Sequence, residues 1–227
     1  MPQEALQPKL DAITTNTRAL VQPERLAVTD RAVGELLASG IEQRMLTVGS
    51  PMPSFALAEA SPTVLSGPGA TARMVRSDDL LALGPLVINF FRGRWDPYCM
   101  TELETWQALY PTLRDRGALL VAISPQLPRQ NDFTVQQHGL TFPVLSDTGC
   151  RVAEQFGIAY EVGESLQRHY RSILVNLQFT HGNQGEATWR LPVPATFVVG
   201  RDGHILFAEG NADHRVRPEP QDVLAAL

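Results

Sequence analysis

The chain has 227 residues, 44% of them apolar, and a formal net charge of -5; that size suits one main domain with an appendage, and that charge gives nucleic acid no reason to bind. Its two cysteines, Cys99 and Cys150, are too few for a disulfide-stapled secreted fold, so a reducing, cytoplasmic setting is expected. The first residues lack the charged-then-apolar layout of a signal peptide, and no run of about eighteen apolar residues is present, so no membrane association is expected.

Between Glu4 and Val21, Leu6, Leu10, Ile13 and Leu20 recur at helical spacing, and Pro23 opens a second segment carrying Leu26, Ala32, Val33, Leu36 and Leu37 before Gly40. Residues 1–45 read as a two-helix extension that cannot bury its own apolar faces. They must cover the main domain, residues 46–227, or a second copy of the chain. On the order of 1,000 Å² of apolar cover is the scale of a specific interface, so a homodimer without a disulfide link is expected.

The stretch Ser50–Pro62 suggests an entry loop and a short strand, and the small residues of Ser66–Arg73 an exposed loop. LVINFF (86–91) and ALLVAIS (118–124) are continuous apolar runs, as in central strands covered on both faces. Between them Leu103, Trp106, Leu109, Tyr110 and Leu113 keep helical spacing up to Gly117, which makes a βαβ unit with parallel strands. Further on come a polar helix at Asn131–His138, the strand FPVLSD, and helices at Cys150–Phe156 and Glu164–Val175. Phe179–Arg190 reads as a loop, Ala195–Gly210 as a hairpin turning at Asp202-Gly203, and a last helix begins near Pro218.

Chemistry concentrates in FFRGRWDPYCMTEL (90–103). Asp96 suits an N-cap and Pro97 the first helical position, which puts Cys99 at the third. Free N–H groups and the helix dipole there favour a thiolate, with Arg92 and Arg94 adding positive charge and Asp96 opposing it. Trp95 and Tyr98 would wall a pocket. His138, His181 and His204 lack metal-ligand spacing, so neither a metal nor another cofactor is expected.

Taken together, VGSPMPSFAL, VINFFRGRWDPYC with Glu102 following, VAISPQ, FPVLSD and LPVPATFVVGRDG resemble the alkyl hydroperoxide reductase and thiol-specific antioxidant branch of the peroxiredoxins. The resemblance implies a thioredoxin-like α/β fold with a central mixed sheet flanked by helices. It also implies a thiol peroxidase in which Cys99 attacks a peroxide and an external thiol, thioredoxin-like or of low molecular weight, reduces the product. It makes Cys99, Arg92 and Asp96 the catalytic candidates and Trp95, Pro97, Tyr98, Glu102 and Pro194 the pocket, with Cys150 as the candidate resolving thiol.

Three positions depart from that pattern. Arg92 stands where the family has proline, Asp96 where it has threonine, and Pro194 where it has an arginine. Pro194 instead resembles the cis-proline of thioredoxins. Asp96 also takes the place of the first thiol in the Trp-Cys-Pro-Tyr-Cys turn of related sequences, which removes dithiol exchange within the motif. A one-cysteine peroxidase is therefore the first reading. A catalytically weakened redox sensor or partner-binding protein is the alternative.

Overall fold

A computed structural model describes residues 5–60, 73–183 and 185–227; most of the loop expected at 66–73 lies outside them. In chain order the elements are α1 (Leu6–Leu20), α2 (Pro23–Ala38), α3 (Ile41–Arg44), β1 (Ala56–Glu59), β2 (Met74–Arg76), α4 (Ser77–Leu83), β3 (Leu86–Phe90), α5 (Pro97–Asp115) and β4 (Leu119–Ser124). There follow α6 (Pro128–His138), β5 (Val144–Ser146), α7 (Arg151–Gln155), β6 (Ala159–Glu161), α8 (Glu164–Ser172), α9 (Leu177–His181), β7 (Arg190–Pro192), β8 (Ala195–Val199), β9 (Ile205–Gly210) and α10 (Pro220–Ala225).

A mixed sheet in the order β2-β1-β5-β4-β3-β8-β9 organises the molecule. β3 runs parallel to β4, as the βαβ reading requires, and β8 pairs antiparallel with β9, as the hairpin reading requires, while β3 and β8 are antiparallel neighbours. Every residue of β3 is buried, because helices cover both faces of the sheet. Its side chains alternate. Leu86, Ile88 and Phe90 join Phe156, Phe197 and Cys150 on one face, while Val87 packs with Leu103, Trp106 and Cys99 on the other. Each such large side chain contributes about 1.5–3 kcal/mol by leaving water.

The extension lies on its own domain. Leu6, Leu10 and Ile13 of α1 pack against Tyr98 on α5, while Val28 and Ala32 of α2 join Leu166 and Tyr170 of α8. The first turn of α1 gives its free N–H groups of Leu6 and Gln7 to the Glu219 carboxylate, each at 2.8 Å. Arg215 ties the same C-terminal segment to Asp30 of α2 at 2.7 Å. The apolar faces that motivated a homodimer are thus largely covered within the chain.

Two local expectations give way. Phe179–Arg190 is not a loop throughout: α9 closes at His181 and a short 3-10 turn (Gly185–Trp189) leads into β7. Its Gly and Asn content masked Asn176, which caps α9 by accepting the Phe179 N–H at 3.1 Å. The Val193–Pro194 bond is trans, not cis. Proline permits either isomer, and the sequence around Pro194 carries no signal that chooses between them. The next residue, Ala195, pairs with Phe90 at the end of β3 that leads to Arg92.

Candidate active site at Cys99

β3 delivers the chain to a tight turn. Gly93 sits at a φ of 148°, and a Cβ there would come within 2.6 Å of the Trp95 indole nitrogen, so only glycine fits. The Arg94 N–H donates to Gln126 Oε1 at 3.0 Å and anchors the turn to the segment after β4. Asp96 then caps α5: its Oδ1 accepts the Tyr98 N–H at 3.0 Å.

The other oxygen of that carboxylate gathers the site. Asp96 Oδ2 accepts from Arg92 Nε at 2.8 Å and from the Cys99 thiol at 3.0 Å. Arg92 lies over the Trp95 ring at 5.0 Å and reaches the Tyr170 hydroxyl at 3.4 Å. Its backbone N–H points at Cys99 Sγ from 3.5 Å.

On the opposite side stands Arg217. Its Nη2 lies 3.5 Å from Sγ and its Nε donates to Glu102 Oε2 at 2.6 Å, while Nη1 is held by the carbonyls of His214 and Val216. Glu102 uses its second oxygen to accept from Asn89 of β3 at 2.7 Å. Burying these ions is tolerated because each is paired and hydrogen-bonded. The resemblance places an arginine before β8; this chain has Pro194 there, and Arg217 brings a guanidinium to the sulfur from the C-terminal segment.

The helix start does not make Cys99 acidic. Burial, and then the adjacent Asp96 carboxylate, push its thiol up to about 12 against the pull of Arg217 and Arg92. The residue has no exposed surface, and its hydrogen bond to Asp96 requires the thiol proton. Burial by itself would raise Asp96, but Arg92 beside it holds the carboxyl well below the usual range. Cys150 is pushed up as well, by burial and then by Asp147.

Cys99, Arg92, Asp96 and Glu102 therefore converge as the sequence suggested. Trp95, Pro97 and Tyr98 line a cavity of about 260 Å³ together with Arg92 and Asp96. Its roof is the extension, through Thr14 and Thr17 of α1 and Leu26 and Thr29 of α2. Pro194 is not part of its lining. Cys150 is not brought to Cys99: it packs in the cluster on the other face of the sheet, because α7 and α5 cover opposite faces. The two thiols are therefore not in contact in this structure.

Sequence reasoning missed Arg217, His214, Tyr170 and Asn89. Asn89 did leave a signal, as the one polar residue in LVINFF. Arg217 and His214 lie in HRVRPEP, where charge density alone reads as surface, yet burial and then Arg92 bring His214 down to about 3. Among the described residues no group of His, Cys, Asp or Glu is arranged to hold a metal, and no helix is long and apolar enough to cross a membrane.

A central mixed sheet with a cysteine in the first turn of the helix that follows β3 is the arrangement of a thioredoxin-like fold. The AhpC/TSA family model matches residues 48–208, and the chain belongs to that family. It is 26% identical over 187 residues to the thiol-disulfide oxidoreductase ResA of Bacillus thuringiensis (strain Al Hakam), covering 80% of this chain and 81% of that one. Among solved structures, peroxidoxin BcpB from Mycobacterium tuberculosis superposes with a TM-score of 0.58 at 21% identity, covering 80% of this chain and 96% of the other. Yeast mitochondrial 1-Cys peroxiredoxin gives 0.56 at 20% identity over 79% and 74%. These likenesses in structure establish the fold.

Proposed function

We propose that the protein is a thiol-dependent peroxidase acting through Cys99 alone, with a peroxide as oxidant and an external thiol as reductant. The observation that carries this is the convergence of Arg92, Asp96 and Arg217 on one sulfur at the family's cysteine position. Sγ attacks one peroxide oxygen: the S–O bond forms, the O–O bond breaks, and the thiol proton passes by way of Asp96 to the leaving oxygen. Cysteine becomes a sulfenic acid and the peroxide leaves as water or an alcohol. One external thiol then displaces water to give a mixed disulfide, and a second restores Cys99 and departs as the external disulfide. The two guanidinium groups balance the charge that develops on sulfur and oxygen.

In the resting fold the sulfur lies beneath Arg92 and Asp96, so those side chains must move before a peroxide touches it. Stopped-flow oxidation of the reduced Cys150→Ser protein tests the proposal. A second-order rate that is lost in Cys99→Ser supports it, with the rate rising as pH is raised because the thiol stays protonated at neutrality. No oxidation of Cys99 by any peroxide would overturn it. A second reading, a catalytically weakened thioredoxin-fold protein that senses oxidation or binds a partner, draws support from the same thiol only in that burial and a pKa pushed up to about 12 slow its attack on a peroxide. Turnover separates the two: a sensor is oxidised once, whereas a peroxidase cycles when excess thiol is supplied.

A further inference from the structure

We infer that the cavity between the extension and the Arg92–Asp96 pair binds an organic hydroperoxide that also carries a carboxylate, with Arg25 receiving the carboxylate. The inference rests on the peroxidase reading and names its substrate class. At about 260 Å³ the cavity is on the scale of small-ligand sites and far exceeds what the two oxygens of hydrogen peroxide fill. Val21, Leu26, Ile173 and Val175 give it an apolar wall. Asp96, 3.0 Å from the sulfur, also lines it.

Its charge is unbalanced at one residue. The lining holds Arg18, Arg25, Arg92 and Arg215 but only two carboxylates, Asp30 and Asp96. Arg92 pairs with Asp96 at 2.8 Å, while Asp30 takes Arg215 at 2.7 Å and Arg18 at 3.4 Å. Arg25, exposed in the first turn of α2, has no carboxylate partner among the described residues. A solvated surface arginine is ordinary; an unpaired one on the lining of an apolar-walled cavity whose floor includes Asp96, the residue that accepts the Cys99 thiol proton, is a place for an anion. A hydroperoxide on a short apolar stem ending in a carboxylate matches all three zones. After transfer of one oxygen to Cys99 it leaves as the corresponding hydroxy acid, its O–O bond broken and the thiol proton on the new hydroxyl. Arg25 lies outside the matched family segment 48–208, so this selectivity belongs to the extension.

The test compares a medium-chain fatty-acid hydroperoxide with its own methyl ester, which differs in charge but not in stem, on the reduced full-length Cys150→Ser protein. The acid is expected to oxidise Cys99 about five-fold faster or more, the scale of one partly exposed ion pair. That ratio should fall toward one in Arg25→Gln and in high salt. A ratio near one in the parent, or one that survives Arg25→Gln, overturns the inference. If neither compound oxidises Cys99, the peroxidase reading fails on its own, and tryptophan fluorescence titrations with decanoate and methyl decanoate decide the pocket. Preferential binding of decanoate that is lost in Arg25→Gln upholds the carboxylate site, and equal or absent binding overturns it.

Discussion

The Asp96 carboxylate, held ionised by Arg92, helps to keep the Cys99 thiol protonated. Because burial and Asp96 raise the folded thiol to about 12 while an unfolded cysteine titrates near ~8.5, its contribution to stability is complete below pH ~8.5 and is lost as pH climbs toward the folded value. Alkylation of native Cys150→Ser protein by iodoacetamide should therefore be slow at pH 7 and keep rising beyond pH ~9; a plateau near neutrality would show an acidic thiol instead. Asp96→Asn removes the carboxylate that opposes the thiolate, so the alkylation profile should shift to lower pH. It should also destabilise the fold by about 3–5 kcal/mol in urea melts, since Arg92 would keep a buried, unpaired charge. An unchanged alkylation profile in a folded Asp96→Asn protein would mean that burial alone sets this thiol.

At the level of elements, the extension and the domain meet backbone to backbone. Gly157, at a φ of 76°, leaves so little room that a Cβ would come within 2.0 Å of the Arg44 carbonyl oxygen, and Leu46 N–H donates to Phe156 O at 3.1 Å beside it. Gly157→Ala should then cost more than the ~1–2 kcal/mol of the left-handed backbone alone, read as a lowered urea midpoint. A change below ~1 kcal/mol would show that α3 can shift away freely. The elements themselves were largely legible in the sequence, because LVINFF and ALLVAIS have the length and continuous apolar character of doubly covered strands and Asp96-Pro97 announces a helix start. What could not be read was longer in range. That Arg217 would meet a sulfur 118 positions earlier depends on how the segment after β9 folds back, and no local pattern records it. Nor does helix-start position reveal that Sγ is wholly buried, and it is this burial that opposes the thiolate expected there.

At the scale of the molecule, the two helices of the extension form a roof held by Glu219 and Arg215 from the far end of the chain. Because most of the extension's apolar residues are covered within the chain, light scattering at micromolar concentration should give a mass near the 25.0 kDa of one chain. A doubled mass would show that the exposed Leu20 and Leu37 seed a dimer instead. Apart from Ile41, the two clusters on either side of the sheet are built from residues beyond the extension, so residues 46–227 expressed alone should remain structured by circular dichroism while Cys99 is alkylated faster than in the full chain. Equal rates would mean that the turn around Arg92 and Asp96, and not the roof, limits access.

The sheet between the two cysteines acts as an insulating wall within the molecule. An oxidised Cys99 has no neighbouring thiol to condense with, so its sulfenic acid survives only while an outside thiol arrives faster than more oxidant. Starved of reductant, the chain should not form an internal cross-link; intact-mass spectra after peroxide treatment should show one, then two and three added oxygens rather than the loss of two hydrogens. Its working life would be counted in encounters with reductant, and once a second oxygen is added the damage is permanent unless a dedicated repair enzyme intervenes.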